Sequence, residues 1–464
     1  MPVRKYTYYD FTISLCPECL RRIEAKIVFE KESVYMLKWC PEHGRSKVKI
    51  SDDKEYYKNI RNYNKPSETP YRFNTKVHYG CPYDCGLCTD HEQHSCVTII
   101  EITDRCNLTC PTCYASSSPT YGRHRNFDEI KKMFDVVVEN EKEPDVVQIS
   151  GGEPTLHPQF FEILDYAKSL PIKHLMVNTN GISIAKDFEF AKRLKSYTPD
   201  FEIYLQFDSF NSSALKSLRG ADLTKIRKQA IEHLNELNIS TTLVVTLQKG
   251  LNDNEIGDII NYALKQRCVR GVTFQPTQVA GRNENFNNST DRITLTEVRR
   301  KILEQCDVFN ADDLIPVPCN PDALAMAYAI KLNGEVFPLT RFINPNDLLD
   351  SSRNTIVYEQ DEELKQKMIS IFSTGISPDK ASSKLQTLLC CLPAIEAPQL
   401  SYENLFRIII MEFADAHSFD VRAIKKSCVH IVNKDYKIIP FETMNLFYRD
   451  DNKEMLYKLQ NNIL

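Results

Sequence analysis

From Val97 onward, short apolar runs alternate with longer stretches in which apolar residues recur every three or four positions. Six of the runs read as strands: 97–103 (VTIIEIT), 145–150 (DVVQIS), 174–178 (HLMVN), 201–207 (FEIYLQF), 239–246 (ISTTLVVT) and 269–275 (VRGVTFQ). Between them, amphipathic patterning predicts helices near 127–139, 159–169, 185–197, 222–237 and 253–266. Strands this apolar, separated by helices, call for βαβ units around a parallel sheet buried on both faces. The alternation stops near 285, so a partial (β/α)6 barrel fits better than an eightfold one. Functional side chains then belong at the C-terminal ends of the strands.

The flanks follow other rules. Residues 1–75 carry Cys16-Pro-Glu-Cys19 and Cys40-Pro-Glu-His43-Gly44, joined by the strand-like AKIVFE and VYMLKW. Knuckle, hairpin, knuckle is the layout of a zinc-ribbon or rubredoxin-like module, with Cys16, Cys19, Cys40 and His43 as candidate ligands of one zinc or iron ion. A polar, proline-containing linker near 62–70 leads to a cysteine-rich segment, 76–96. The expected core spans 97–290. Beyond it, 291–464 reads as an α+β extension, with a helix at 295–306 and a hairpin signalled by Asn333-Gly334. The stretches 322–330 (DALAMAYAI) and 405–417 (LFRIIIMEFADAH) are candidates to line an apolar tunnel. Taken singly, each reads as an amphipathic core helix.

Charge removes some classes. A net charge of -4 and a pI near 6.2 give no global basic excess, so no nucleic-acid partner is expected. No apolar run reaches the length of about 18 residues that a spanning helix needs. The N-terminus lacks the apolar core of a signal peptide, so a cytoplasmic protein is expected. Sixteen cysteines in that compartment favour metal ligation or catalysis over disulfides, and ten of them lie between Cys16 and Cys113 in ligand-like spacings.

The spacing C-x3-C-x2-C occurs twice, as Cys81, Cys85, Cys88 and as Cys106, Cys110, Cys113. Three thiolates this close suit three corners of a 4Fe–4S cube. Cys96 follows the first copy as a plausible fourth ligand and would saturate an auxiliary cluster. No cysteine follows the second copy until Cys268, so its fourth iron stays open. Structural zinc is the alternative for both sets. Cys319, Cys390, Cys391 and Cys428 are candidates for a further cluster, or ordinary buried thiols. Cys268 and Cys306 read as core residues. His91 and His94, between Cys88 and Cys96, are candidates for proton transfer or substrate contact, with loop hydrogen bonding as the default.

Cys106-Asn-Leu-Thr-Cys110-Pro-Thr-Cys113-Tyr, directly after the first barrel strand, resembles the signature of the radical S-adenosylmethionine (SAM) superfamily. Gly151-Gly152-Glu153-Pro154 at the end of the second strand resembles that family's SAM-amine motif. The resemblance implies a 4Fe–4S cluster on the three cysteines, SAM chelated to its open iron, and a 5′-deoxyadenosyl radical formed with an electron from a low-potential donor. It also implies SAM contacts from strand ends: Asn178 and Asn180, Gln206 and Asp208, Thr246, and Gln275. The residue before the third cysteine, often aromatic in the family, is Thr112 here, which leaves Tyr114 as the candidate for the adenine side.

The whole layout (CPECL…CPEHG, GCPYDCGLCTDHEQHSC, TIIEITDRCNLTCPTC, then 317–330 and 425–450) is similar to a subgroup that includes archaeal tetraether lipid synthases. Where many members carry another cysteine near 323 or 442, this chain has Ala323 and Glu442. The expected function from this resemblance is radical coupling of the ends of two lipid chains, with one or two auxiliary clusters and peripheral membrane contact. The enzymatic alternative is a radical SAM methyltransferase acting on a pterin-type C1 carrier or another small substrate, although no cobalamin-binding domain is recognisable. A non-catalytic zinc-binding interaction protein is the alternative outside enzymes.

Overall fold

The computed structural model describes residues 4–65, 68–332, 334–342, 344 and 402–461. The N-terminal module is a four-stranded antiparallel sheet, β1 (Thr7–Leu15), β2 (Arg22–Glu30), β3 (Ser33–Cys40) and β4 (Gly44–Ser51), in sequential order. Its strands alternate as a half-buried sheet should. Ala25, Ile27, Val34 and Met36 face inward onto Tyr57 and Ile60 from helix α1 (Lys54–Asn59) and the turn after it. The buried Lys38 ammonium donates to the carbonyls of Leu15 (2.9 Å), Ala416 (2.8 Å) and His417 (2.7 Å), and the Thr12 hydroxyl donates to Asp420 (2.6 Å). The ribbon is thus fastened to the C-terminal part of the chain.

The six apolar runs form parallel strands β5 (Val97–Thr103), β7 (Val146–Gly151), β8 (His174–Thr179), β9 (Phe201–Gln206), β10 (Thr241–Leu247) and β11 (Val269–Pro276), side by side in chain order. Two-residue strands β6 (Thr112–Cys113) and β12 (Arg282–Asn283) pair with each other apart from this sheet. Outside the sheet lie α2 (Phe127–Glu141), α3 (Phe160–Lys168), α4 (Ile182–Lys186), α5 (Phe188–Lys195), α6 (Ser212–Arg219), α7 (Thr224–Leu237) and α8 (Ile256–Lys265). The single helix expected at 185–197 is in fact α4 and α5. Asp187 is extended, and its carboxylate accepts from the backbone N–H groups of Glu189 and Phe190, an N-cap that starts a new helix. Helix α6 was not foreseen; Gly220 ends it in the left-handed conformation at φ +74°.

After α9 (Leu295–Gln305) the chain returns to the same sheet. Its strands are β13 (Ile315–Pro316), β14 (Leu324–Leu332), β15 (Glu335–Pro338), β16 (Leu405–Met411), β17 (Val429–Val432) and β18 (Ile438–Pro440). β16 lies parallel to β11 and antiparallel to β14, while β17 lies parallel to β5 at the opposite edge. The stretches 322–330 and 405–417 therefore contribute paired strands, not amphipathic helices. The Ile408–Ile409–Ile410 run is buried on both faces, which suits β-branched residues in a central strand.

The sheet's outer face packs on the helices through residues such as Ile100, Val147, Val177 and Leu243. Its inner face curls around a cavity. At the floor, Arg407 of β16 donates to both oxygens of Glu202 of β9 (2.8 and 2.9 Å), with His174 3.4 Å from the same carboxylate. Burial opposes ionisation of Glu202, but Arg407 and His174 hold its carboxyl well below the usual range. Among the described residues, no helix is long and apolar enough to cross a membrane.

Glu442, just beyond β18, has no such cation beside it among the described residues. Burial pushes its carboxyl up to about 7, against a hydrogen bond of 3.0 Å from the Ser427 hydroxyl. The folded state therefore holds this proton above the pH at which the unfolded chain releases it, and the stability it contributes is lost as pH rises through about 7. Thermal unfolding of the metal-loaded protein is expected to show a shallower fall in midpoint between about pH 5 and about pH 8 for Glu442→Gln than for the native chain. Equal slopes would remove Glu442 as the source.

Candidate functional site

The loop after β5 carries Cys106, Cys110 and Cys113 to the C-terminal end of the sheet, and all three line the cavity. Its shape is set by backbone contacts. Cys106 N–H donates to Ser118 O (3.2 Å), and β6 pairs with β12. From β12 the Arg282 guanidinium donates to Cys110 O (2.5 Å) and Ser117 O (2.7 Å). Gly281, at φ +60°, lets this strand approach: a Cβ there would stand 2.4 Å from Tyr114 O. Burial, with Glu153 and the neighbouring thiols, pushes the Cys106 thiol up to about 12, and burial likewise raises Cys110. Metal loading here must therefore release protons that the empty site retains.

Gly151, Gly152, Tyr114, Asn178, Asn180, Gln206, Thr246 and Gln275 all line the same cavity, which is open to solvent. Gly151 (φ +125°) and Gly152 are packed so tightly on Thr103 O and Arg105 O that any Cβ would come within 2.1 Å. Asn178 donates to the Ser150 hydroxyl (3.2 Å), while its Oδ1 is buried with no partner among the described residues. Three thiols, a glycine turn and an unpaired acceptor opening on one cavity fit a 4Fe–4S cluster and the polar end of SAM.

Two expected SAM contacts are placed differently. The Glu153 carboxylate is buried and accepts from the Thr179 hydroxyl (2.7 Å), the Thr155 hydroxyl (2.7 Å) and Asn180 N–H (2.8 Å), so it holds the strand-end loops together. Asp208, also fully buried, takes Arg219 (2.8 and 2.6 Å) and Arg227 (2.7 Å). Burial works against it, but the two guanidiniums keep its carboxyl low. Neither carboxylate lines the cavity, because each satisfies buried partners of its own. Arg219, which the sequence reading passed over, lines the cavity and donates to the Thr246 hydroxyl (2.8 Å).

The N-terminal ligand set comes together as expected in geometry: Cys16, Cys19, Cys40 and His43 place their ligand atoms within 4.8 Å of one another. His43 presents Nδ1, 3.6 Å from Cys16 Sγ and 3.5 Å from Cys40 Sγ. A tetrahedral ion at ordinary zinc–sulfur distances would separate its thiolates by about 3.8 Å, and Cys19 Sγ and Cys40 Sγ are 3.9 Å apart.

The auxiliary cysteines group otherwise than read. Cys81 contacts Cys85 and lies near Cys88, but Cys96 joins Cys319 and Cys428, with all three sulfurs within 4.8 Å. Cys319 Sγ and Cys428 Sγ are 3.1 Å apart. The cause is the β5–β17 pairing: Val97 N–H donates to Cys428 O (3.0 Å), which sets the two cysteines before those strands side by side. Sequence proximity to Cys88 gave the wrong neighbour for Cys96. Cys390 and Cys391 lie outside the described residues. His91 Nε2 sits 2.9 Å from Ser427 O and 3.2 Å from His430, and His94 stands 3.6 Å from Cys96 Sγ beside Glu141. Both histidines are thus tied into the packing around the cysteines.

Comparison with known proteins fits this geometry. The radical SAM superfamily model matches residues 100–263, and the HMPTM N-terminal zinc ribbon domain model matches residues 8–52. A 7,8-dihydro-6-hydroxymethylpterin dimethyltransferase of Methanocaldococcus jannaschii is 32% identical over 486 aligned positions, covering 96% of this chain and 94% of that protein. The antilisterial bacteriocin subtilosin biosynthesis protein AlbA of Bacillus subtilis is 30% identical over 227, covering 47% of each. Streptococcus suis SuiB bound to S-adenosylmethionine matches 45% of this chain and 43% of its own at 15% identity, with a TM-score of 0.36. Lipid coupling gains no support from these relatives; the pterin methyl-transfer alternative does.

Metal analysis after anaerobic reconstitution checks the cysteine grouping. Cys96→Ala, Cys319→Ala and Cys428→Ala are expected to lose one common increment of metal, singly or combined, and Cys81→Ala or Cys85→Ala a different one. A shared increment for Cys96→Ala and Cys81→Ala would restore the contiguous four-cysteine set.

Proposed function

The chain belongs to the radical SAM superfamily, and from that premise we propose that it is a methyltransferase acting on a reduced pterin-type C1 carrier. The observation that carries this reading is the full-length likeness to a protein named for methylation of a hydroxymethyl-dihydropterin, extending through the zinc ribbon and the C-terminal strands as well as the core. A relative sharing only the barrel would speak to the first chemical step alone.

When bound, the cluster and SAM supply a 5′-deoxyadenosyl radical able to remove hydrogen from an unactivated carbon. The chain's own residues then have three tasks. Cys106, Cys110 and Cys113 fix the cluster at the cavity mouth; Gly151, Gly152 and the unpaired Asn178 Oδ1 orient the polar end of SAM. Tyr114, half-buried with its hydroxyl 3.4 Å from Ser150 and its ring 5.0 Å from that of Phe441, would help to keep solvent out of the cavity. Deeper residues of β7 to β11 and β16 hold the substrate within reach of that radical. The auxiliary thiols are placed to bind further metal, in keeping with an enzyme that needs an external low-potential electron donor.

The test is anaerobic turnover of the reconstituted protein with SAM, a strong reductant, 6-hydroxymethyl-7,8-dihydropterin and a source of the added carbon, either a second molecule of SAM or a methylene-bearing reduced folate-type carrier. Native protein is expected to form 5′-deoxyadenosine and a pterin heavier by one CH2 unit per methyl, and Cys106→Ala neither. Deoxyadenosine with an unaltered pterin, and loss of two hydrogens on joining added lipid chains, would overturn the pterin reading.

A further inference from the structure

Inward-facing side chains of the barrel strands form a wall below the SAM contacts. Ile99 on β5, Met176 on β8, Val244 on β10 and Ile409 on β16 give it an apolar surface, and Tyr204 on β9 adds a ring. Gln148 interrupts this wall. It pairs in register with Ile99 on one side and Met176 on the other, lines the cavity, and is 7% exposed.

Other polar groups of the wall donate hydrogen bonds within the protein. Gln275 donates to the Tyr204 hydroxyl (3.1 Å), Asn178 to Ser150, and Arg407 to Glu202. Gln206 is half-buried at a strand end, where water reaches it. The Gln148 carboxamide makes no hydrogen bond to any described residue. Its polar atoms open on the cavity instead, where a leucine or methionine would match the apolar neighbours. Its retention among apolar neighbours points to a partner arriving with the ligand.

We propose that Gln148 is a specificity-determining residue, whose carboxamide pairs with the lactam edge, an N–H beside a C=O, of a flat heterocyclic substrate. A carboxamide carries an acceptor and a donor on adjacent atoms, so it meets a lactam at two points, as asparagine and glutamine meet the paired donor and acceptor of a base edge. The apolar neighbours take the faces of the ring. An alkyl chain in the same place would leave the amide unsatisfied, so the residue also selects against lipid. The inference rests on the pterin reading and names the group that reads it.

Binding, followed by pterin fluorescence with SAM present, tests this without turnover. Native protein is expected to bind 6-hydroxymethylpterin about tenfold more tightly than its N3-methyl derivative, in which the lactam donor is blocked. Gln148→Leu is expected to bind both alike, at the weaker affinity, with SAM affinity unchanged; that retained SAM affinity shows the variant is folded. A Gln148→Leu protein that keeps the native preference overturns the assignment and leaves the pterin reading intact. Native protein that binds neither pterin overturns both.

Discussion

A parallel sheet of six strands has two open edges, and unpaired backbone there is a liability that the chain must cover. Here both edges are closed by strands from the C-terminal part, β16 against β11 and β17 against β5. Much else depends on these two pairings. β16 brings Ile409 and Met411 to the cavity and Arg407 to its floor, where that guanidinium finds Glu202. β17 brings Cys428 beside Cys96. One backbone requirement therefore builds a wall of the reaction chamber at one edge and a three-thiol group at the other.

The sequence made legible what is local. Six apolar runs of strand length, two C-x3-C-x2-C spacings and a glycine pair at a strand end predict the barrel and its cysteine loop, because period and spacing act over a few residues. Long-range partners leave no such trace. Cys96 stands near Cys88 in sequence but is drawn to Cys428 by strand pairing. Glu153 and Asp208 sit at strand ends where cofactor contacts belong, yet Thr179 and Arg227 had claimed them, and nothing in their own segments shows it. The 405–417 stretch reads as an amphipathic core helix, but its Ile408–Ile410 run is short and wholly apolar and carries no period to separate helix from strand.

Gln148 illustrates the reverse case. In sequence it is one polar residue in an apolar strand, indistinguishable from a surface position at the end of an alternating pattern. Only the curl of the sheet turns that face toward the cavity. The same curl explains the division of the barrel interior into a charged floor, an apolar middle and a polar mouth. The Arg407–Glu202 pair at the floor is shielded from water and neutralised, so it adds no net charge to attract anions.

The pairing of Cys96 with Cys428 also imposes an order on manufacture. The ribbon's four ligands are all present once residue 43 has been made, so that site can capture its ion while the rest of the chain is still on the ribosome. Cys96, by contrast, gains Cys428 as a neighbour only after β17 has been made and has docked against β5. An ion held by Cys96, Cys319 and Cys428 would therefore be captured only after the sheet has closed, and its binding would report that closure.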